Sequence, residues 1–488
     1  MKIFKIALVN PGPGDILEKG RIIANADHIY PPLGICYLSS ILKKENYQVD
    51  IIDQAARGFN LYQIVDWIKK KDPDILGFST LTASGSGISA ALTSIEVKKW
   101  NPNIKIVFGN RHVTYNDYRI LNKYPEIDVC VRGEGEITFT ELVKAIEKDS
   151  SLDNIKSLTY RDNGKVKRNE DRPLIKNLDS IPFPDRKALN LEYKGSFGGL
   201  EFAPKGFTSM TSSRGCPYQC AFCYGKRTIG FRTRSVENIL EEILQLESEG
   251  YKYLNFVDDN FTVSKKRVIK LCHLMRKNKV DIDWICEGRV NQVSNEMLHE
   301  MRRANCRIMF YGIESANQRI LNYYKKNITP SQSIQAVKKT RRAKIPFILG
   351  SFIVGAPSET LVEIFNTLKF AQKLEIDFPV FNILGTMPGT DIWDEMVENN
   401  FLDEEKYWEE GVHIPDIDPN GVPTETISTL ILDMLRKFFM NPKYILKALY
   451  RSITSYYKIT TVFNILIQNM KNFEDFHGLR SFWDPENV

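Results

Sequence analysis

The chain has 488 residues, of which 43% are apolar and 26% are charged, so it can bury ordinary cores, and its length predicts two or three domains. Its eight cysteines are too few for a disulfide scaffold, and no run of 18 apolar residues predicts a transmembrane helix. The formal charge of +6 is small, and the first residues lack a signal-peptide pattern, so we expect a cytoplasmic protein.

Residues 1–150 alternate between strand-like and helix-like patterns. The strand-like runs are continuously apolar, as in parallel sheets that are covered on both faces. We therefore predict an α/β fold with a doubly wound, Rossmann-like domain, in which ligands bind where small residues follow the strands. The predicted strands are 2–10, 47–53, 74–80, 104–109 and 128–136, and the predicted helices are 33–45, 61–71, 85–99 and 136–148.

Residues 151–205 differ in character and are predicted to be a linker with a hairpin, which has an Asn-Gly turn within 159–169. Strand–helix alternation resumes in the next predicted domain, 206–425. Six such units favour a partial (β/α)6 TIM-like barrel over a second Rossmann sheet, with the chemistry in the loops after the strands. The strands are predicted at 206–212, 252–258, 282–290, 307–314, 347–356 and 378–385.

The last region, 426–488, is predicted to be mainly helical. Within it, residues 436–471 contain basic side chains but no Asp or Glu, and Lys443, Lys447 and Arg451 share one helical face next to apolar residues. This pattern fits a basic amphipathic helix that contacts an anionic membrane or covers a lipid-like substrate, and it also fits a capping helix with a solvated basic face. No motif predicts nucleic-acid binding.

Three cysteines, Cys216, Cys220 and Cys223, are clustered in "SSRGCPYQCAFCYG", directly after the first predicted barrel strand. In a reducing compartment this clustering predicts a metal site rather than a disulfide. A structural zinc site needs four ligands, but no second cysteine pair follows and the histidines are scattered. A ferredoxin-type cluster also needs four thiolates. Three thiolates leave one coordination position open, which marks a reactive site.

The segment "CPYQCAFC" resembles the C-x3-C-x2-C signature of the radical S-adenosylmethionine (SAM) enzymes. The resemblance implies that Cys216, Cys220 and Cys223 hold a catalytic [4Fe–4S] cluster whose open iron binds SAM. It further implies that one electron cleaves the sulfonium carbon–sulfur bond of SAM to give a 5′-deoxyadenosyl radical. Such a radical abstracts hydrogen from unactivated C–H bonds, which no protein side chain can do.

Further barrel segments resemble parts of the same family: "FVDDNFT" (256–262), "CEGRVN" (286–291), "YGIESANQRIL" (311–321) and "GSFIVGAPSET" (350–360). The resemblance implies that charged side chains at the strand ends face the zwitterionic end of SAM. Solvated loop charges or internal ion pairs are the alternative interpretation. The implied SAM contacts are Tyr224, Asp258, Asp259, Arg289 and Glu314.

The N-terminal segments "YPPLGICYLSSILKKENYQVDIID" (30–53), "GFSTLTAS" (77–84), "VFGNRHVT" (107–114) and "VRGEGE" (131–136) resemble the cobalamin-binding domain of the cobalamin-dependent radical SAM subfamily. Small residues after parallel strands allow a flat macrocycle to approach the backbone. A purely structural Rossmann module is the alternative. The implied cobalamin contacts are Ser79, Thr80, Thr82, Gly109, Gly133 and Glu134.

The cobalamin resemblance has two departures. Related domains of the methionine-synthase kind carry D-x-H-x-x-G, whose histidine binds cobalt, but Leu17 stands at that position here. Asn110 replaces the second residue of the usual glycine pair. We therefore expect no cobalt ligation by a histidine of the first loop, although His28 and His112 are present elsewhere in the domain.

The two resemblances together imply a cobalamin-dependent radical SAM enzyme. We expect a methyltransferase that acts on an unactivated carbon of a small-molecule or lipid-like substrate and receives electrons from a donor such as a flavodoxin or ferredoxin. Ring formation, oxidative cyclisation or another C–C bond-forming reaction without methyl transfer would use the same [4Fe–4S] cluster, SAM and cobalamin. A non-enzymatic metal-binding module is a more distant alternative.

Overall fold

The chain divides into two compact units, with the boundary between Leu191 and Glu192. Each unit has its own α/β core, which confirms the predicted fold class. Within the described part of the chain, no helix is both long and apolar enough to cross a membrane. The computed structural model describes residues 4–12, 30–81, 86–197, 200–223, 230–405 and 422–453.

A twisted sheet forms the centre of the first unit. Its strands are β1 (Lys5–Asn10), β2 (Gln48–Asp53), β3 (Ile75–Ser79), β4 (Lys105–Gly109), β5 (Val129–Val131), β6 (Leu158–Asp162) and β7 (Lys165–Arg168). In the described residues their order is β2-β1-β3-β4-β5-β6-β7; β1 to β5 pair in parallel, and β6 and β7 are antiparallel. After β1 the chain adds β2 on one side of it and then crosses over to add β3 on the other side. The switch point of the sheet therefore lies between β1 and β3.

Helices join the parallel strands, as the alternation of patterns predicts. They are α1 (Leu33–Lys44), α2 (Gln54–Arg57), α3 (Leu61–Lys71), α4 (Ser86–Trp100), α5 (Arg111–Lys123) and α6 (Gly135–Glu147). Helix α5 was not among the predicted helices, because its sequence "RHVTYNDYRILNK" is largely polar and its backbone is kinked at Asn116. It forms because Val113, Ile120 and Leu121 are buried against the sheet.

The predicted linker with a hairpin, 151–205, includes the boundary between the two compact units. Its hairpin forms β6 and β7, with Asn163 and Gly164 at positive φ in the turn, and β6 pairs with the edge strand β5. The hairpin therefore extends the first sheet, because the short edge strand β5 offers unpaired backbone groups. The remainder of 151–205 is shared between the two units.

The second unit contains the predicted partial barrel. Its strands are β8 (Tyr193–Phe197), β9 (Leu200–Met210), β10 (Ser213–Arg214), β11 (Arg232–Thr233), β12 (Tyr253–Phe256), β13 (Asp283–Gly288), β14 (Cys306–Glu314), β15 (Phe347–Val354) and β16 (Phe378–Ile383). In the described residues the main sheet has the order β16-β15-β14-β13-β12-β9-β8. The run from β9 to β16 is parallel, and β8 is an antiparallel edge strand. All six predicted barrel strands are present.

Helices cover the convex face of this sheet. They are α7 (Val236–Ser248), α8 (Lys265–Lys277), α9 (Asn295–Arg303), α10 (Gln318–Tyr323), α11 (Pro330–Arg342), α12 (Leu361–Lys373) and α13 (Asp391–Glu398). Phe256, Trp284 and Met309 of neighbouring strands are fully buried in one core with apolar residues of these helices. Because strand side chains alternate, the intervening residues point to the opposite, concave face.

Two C-terminal helices, α14 (Thr424–Phe439) and α15 (Pro442–Ile453), follow the barrel. Tyr444 and Lys447 attach α15 to the segment before β16: the Tyr444 hydroxyl donates to the carbonyl of Asp377, and Lys447 forms an ion pair of 2.9 Å with Glu375. The basic face is therefore partly used in packing, while Leu446 and Tyr450 are about 70% exposed (67% and 72%). Residues 454–471 of the predicted basic region lie outside the described residues.

Candidate active site

The three clustered cysteines lie in the loop that follows β9, at the carboxyl end of the barrel strands. The loop opens at Gly215, whose φ of +76° is a conformation that favours glycine. The backbone amide of Cys223 then bonds to the carbonyl of Cys220 at 3.0 Å, which closes a tight turn. Cys220 is buried, Cys216 and Cys223 are half-buried, and none of the three forms a disulfide within the described part of the chain. The loop therefore presents three separate sulfur ligands at the mouth of the barrel.

The start of the cysteine loop is held by Asp258, which follows β12. Its carboxylate accepts hydrogen bonds from the backbone amides and hydroxyls of Ser212 and Ser213, and it lies 3.7 Å from the guanidinium of Arg267. The Asp258 side chain has no exposed surface. A direct contact between Asp258 and SAM is therefore not supported, and Asp258 acts as a positioning residue for the loop.

Replacing Asp258 with alanine is expected to destabilise the fold by about 3 kcal/mol, because it leaves the serine donors without their acceptor and the buried Arg267 without its countercharge. It should also lower the iron content after reconstitution, since the cysteine loop loses its anchor. Anaerobic iron analysis and urea denaturation measure the two effects. The adjacent Asp259→Ala is the matched control: its side chain is exposed, so it should keep both the stability and the bound iron. Equal losses in both variants would contradict the anchoring role.

Arg289 brings a positive charge to the cysteine loop. One guanidinium nitrogen, Nη1, lies 3.8 Å from the Sγ of Cys220, and the guanidinium stacks 3.9 Å from the ring centre of Tyr218. The Tyr218 hydroxyl in turn accepts a hydrogen bond of 2.6 Å from Gln292, which donates from its side-chain amide. The remaining Nε and Nη2 of Arg289 are buried and have no partner among the described residues. The arginine is therefore held in place with two donors to spare.

A buried ion pair, Glu314–Lys326, lies beside the cysteine loop at the end of β14. The two charged atoms are 2.6 Å apart, and the ammonium group lies 5.6 Å from the ring centre of Phe222. Burial lowers the pKa of Lys326, but the carboxylate of Glu314 and the sulfur of Cys220 outweigh it, so the pKa is raised and Lys326 stays charged. A β-carbon at Gly312 would lie 2.4 Å from Oε1 of Glu314, so only glycine leaves room for this pair.

The mouth of the barrel contains several buried polar atoms that have no hydrogen-bond partner among the described residues. Native proteins pair nearly all such atoms, so unpaired ones mark a place where a further polar group belongs. The residues fit SAM, because the spare donors of Arg289 suit its carboxylate and the spare carboxylate oxygens suit its amino group and ribose hydroxyls. These atoms are Nε and Nη2 of Arg289, Oε2 of Glu314, the hydroxyl of Tyr324, Oε1 of Glu359 and Oγ1 of Thr386.

The three cysteines also fit an iron–sulfur cluster better than a zinc ion. Among the described residues, no three His, Cys, Asp or Glu side chains converge as ligands of one metal ion do. A single zinc requires such convergence, whereas the thiolates of an iron–sulfur cluster bind different irons. Burial raises the pKa of the Cys216 thiol, so a metal is needed to hold it as a thiolate at neutral pH.

The predicted cobalamin residues come together at the carboxyl edge of the first sheet. Ser79 and Gly109 are paired neighbours at the ends of β3 and β4, and Gly133 follows β5. A methyl group added at Gly109 would meet no atom closer than 3.8 Å, and at Gly133 none within 4 Å, among the described residues. The edge therefore has open space beside its backbone, which fits a flat macrocycle.

Two other predicted cobalamin residues have structural hydrogen bonds. Thr80 is fully buried, and its hydroxyl donates to the carbonyl of Gly109 at 3.1 Å. The carboxylate of Glu134 accepts a hydrogen bond of 2.8 Å from the backbone amide of Ile175. The side chains of Thr80 and Glu134 are thus already used to hold the local fold.

The imidazole of His112 lies against the first turn of α4. A β-carbon at Gly87, in the first turn of α4, would lie 2.8 Å from Nε2 of His112, so the ring packs against the helix backbone. Tyr224, Thr82, Leu17 and His28 lie outside the described residues, and their predicted roles stay predictions.

Sequence reasoning missed several residues of the barrel site. Lys326, Tyr218 and Gln292 carry no motif of their own, and only the folded chain brings them to Cys220 and Arg289. Glu359 could have been found, since it lies in the quoted segment "GSFIVGAPSET". The Oε2 atom of Glu359 accepts hydrogen bonds from the backbone amides of residues 355 and 356. Burial raises the pKa of Glu359 to about 7.

Comparisons with known proteins agree with this geometry. Residues 210–371 match the radical SAM superfamily, and residues 21–143 match the B12 binding domain. The solved structure of the radical SAM methyltransferase TsrM from Kitasatospora setae, with cobalamin and a [4Fe–4S] cluster bound, superposes with a TM-score of 0.66 at 16% identity, over 81% of this chain and 75% of that one. This likeness supports the fold.

Two curated relatives extend over most of the chain. A protein of Pyrococcus horikoshii named "Uncharacterized methyltransferase PH0819" is 38% identical over 455 residues, which cover 92% of this chain and 95% of the relative. The anaerobic magnesium-protoporphyrin IX monomethyl ester cyclase of Cereibacter sphaeroides is 27% identical over 425 residues, which cover 84% of this chain and 67% of the cyclase. The chain therefore belongs to the cobalamin-dependent radical SAM enzymes, whose cofactors are a [4Fe–4S] cluster, SAM and cobalamin.

Proposed function

We propose that the protein is a methyltransferase that transfers a methyl group to an unactivated carbon of a small-molecule or lipid-like substrate. The observation that carries this proposal is the 38% identity, over nearly the full length of both chains, to a relative named as a methyltransferase. The joint presence of a radical SAM barrel and a B12 binding domain in one chain supports it. Methyl transfer through cobalamin requires both.

When bound, the cluster, SAM and cobalamin supply hydrogen abstraction and the methyl group. The side chains of this protein bind and orient those groups. Cys216, Cys220 and Cys223 hold the cluster, and the positive charges of Arg289 and Lys326 lie beside the buried Cys220 thiolate. The spare nitrogens of Arg289 and the free oxygen of Glu314 are the proposed contacts to the two ends of the methionine part of SAM.

The decisive experiment supplies SAM with a deuterated methyl group to the reduced, cobalamin-loaded enzyme together with a metabolite or lipid extract. A reduced flavodoxin or ferredoxin, the proposed class of electron donor, provides the electrons. We expect 5′-deoxyadenosine and a new product that is heavier by the mass of one labelled methyl group. Mass spectrometry of the extract detects both. A product without the label would reject methyl transfer while leaving the radical SAM chemistry intact.

Ring formation or oxidation without methyl transfer is the second candidate. The similarity to the magnesium-protoporphyrin IX monomethyl ester cyclase over 84% of this chain is the observation that favours it. Both candidates use the same cofactors, so only the fate of the methyl group separates them. The cyclase relative is less similar and is covered over a smaller share of its own length than the methyltransferase relative, and for this reason methyl transfer is preferred.

A peripheral membrane contact through α15 is also part of the proposal. Its support is the exposure of Leu446 and Tyr450, next to the exposed Lys443 on the same helix. Apolar and basic side chains on one helix suit an anionic interface. A lipid-like substrate would reach the enzyme from such a surface, which connects this contact to the proposed chemistry.

A further inference from the structure

One carboxylate inside the barrel, Glu287, is not used by any contact described above. It lies on β13, where Trp284 and Cys286 are buried toward the helices. The alternation of side chains along a strand therefore turns Glu287 toward the concave face. Its side chain is exposed, although its immediate neighbours on the strand are buried. The exposure is thus to the interior space of the barrel.

The neighbours of Glu287 on the adjoining strands are apolar. Phe310 of β14 is its register partner, and Leu349 of β15 is the register partner of Phe310. On the other side Val257 follows β12, with 37% of its surface exposed. A polar group on the far part of the concave face is Asn382 of β16, which donates to the hydroxyl of Ser351. The interior therefore suits a mainly apolar molecule that has a polar group at Glu287.

The cations near Glu287 are already engaged. Lys326 is paired with Glu314 at 2.6 Å, and Arg267 lies against Asp258. Arg289, two residues further along the chain and directly after β13, lies against Cys220 and Tyr218. Among the described residues, Glu287 itself has neither a hydrogen bond nor an ion pair. The carboxylate of Glu287 therefore lacks a compensating positive charge within the described part of the chain.

The electrostatic surroundings of Glu287 agree with a missing cation. Burial within the barrel is the main effect that raises its pKa to about 7, and the carboxylates of Asp259, Glu314 and Asp258 raise it further. Lys326 opposes these effects and lowers the pKa of Glu287, but it does not reverse the shift. A ligand cation beside Glu287 would relieve this repulsion, whereas a ligand anion would add to it.

We propose that Glu287 binds a protonated amine on the substrate, and that it is a specificity-determining residue of the barrel. This inference rests on the proposed function, because it assigns the substrate class of the same site: a mainly apolar molecule that carries a positively charged nitrogen. The charged nitrogen donates to the Glu287 carboxylate, while Phe310, Leu349 and Val257 contact the apolar body. Neutral and anionic substrates lack this pairing, which makes the site selective.

The test uses phenethylamine and its isosteric alcohol as probes of the enzyme reconstituted with cluster, cobalamin and SAM, without reductant. Isothermal titration calorimetry measures both affinities. At about pH 8 the amine should bind about tenfold more tightly than the alcohol, the size expected for one charged hydrogen bond. In Glu287→Gln this preference should disappear. The matched control is Glu241→Gln, an exposed glutamate on α7, which should keep the preference.

The pH dependence provides a second readout that a purely structural role would not change. An alkylamine stays protonated between about pH 6 and about pH 8, as lysine does, whereas Glu287 ionises as the pH rises through about 7. The preference for the amine should therefore grow with pH in the wild type and stay flat in Glu287→Gln. The substitution should also stabilise the protein at the upper pH, because a carboxylate with a raised pKa lowers folding stability once it is ionised.

An amine that fails to bind, or that binds no better than the alcohol, would overturn the inference. So would a preference that survives Glu287→Gln. These outcomes are distinct from a failure of the proposed function, which is read from the label in the product. Selective amine binding without labelled product would reject methyl transfer and retain the role of Glu287. Labelled product without amine selectivity would do the reverse.

Discussion

Replacement of Cys216, Cys220 or Cys223 by alanine is expected to abolish 5′-deoxyadenosine formation and to remove the brown iron–sulfur chromophore. Each thiol is a proposed ligand on a loop whose turn is closed by the amide of residue 223. No other cysteine lies in that loop, so none can replace a missing thiolate. The loss in rate should be complete within detection, since the radical chemistry depends on the cluster. Anaerobic absorbance, iron content and product chromatography measure it.

The control for this series is Cys272→Ala. Cys272 is fully buried on α8, among the apolar residues that pack between the helices and the sheet. This substitution should cost about 1 kcal/mol of stability through the lost sulfur contacts, and it should leave the chromophore intact. Residual 5′-deoxyadenosine formation in any variant of the three loop cysteines would contradict the assignment of that residue as a ligand.

Lys326→Met is expected to destabilise the protein by about 3 kcal/mol, because it leaves the Glu314 carboxylate buried without its cation. The pair lies in a closed space, in which Glu314 is 4% exposed and Lys326 is 9% exposed. The loss should be smaller in the double variant Lys326→Met with Glu314→Gln, since no uncompensated charge then remains. Urea denaturation of the anaerobic protein, followed by far-UV circular dichroism, measures the three variants.

The adjacent lysine provides a matched control. Lys325 forms an exposed ion pair of 2.8 Å with Asp391, and such pairs contribute little because water screens them. Lys325→Met should therefore change the stability by less than about 1 kcal/mol. Equal effects of the two lysine substitutions would show that the burial of the Glu314–Lys326 pair does not determine its contribution.

The periodic parts of the fold were predictable from the sequence. Strand–helix alternation predicted five of the six barrel strands to within two residues at each end, whereas β9 begins six residues before its predicted start. Helix α5 escaped prediction because only a narrow apolar stripe faces the sheet. The hairpin at 158–168 was recognised by its Asn-Gly turn, but its pairing partner was not, since strand pairing depends on which edge the folded sheet leaves open.

The site was predictable only where chemistry imposes a fixed spacing. The three cysteines are such a case, because they must bind one cluster from one loop. Asp258 was predicted as a SAM contact by resemblance, yet its carboxylate is fully occupied by Ser212 and Ser213. Which group pairs with a charged side chain depends on burial and on distance in the folded protein. A local sequence motif determines neither of them.

The amino-acid sequence alone therefore determined the family and the order of the strands along the chain, and it provided the cysteine spacing on which the proposed cluster site rests. These features depend on local patterning and on residues that are close in the chain. Only the tertiary structure decided that Lys326 neutralises Glu314, that Arg289 retains two free donors and that Glu287 faces the barrel interior without a cation. Each of these features depends on which side chains share a buried space after distant segments have packed together. In such a space the low dielectric constant strengthens the interactions between charged groups.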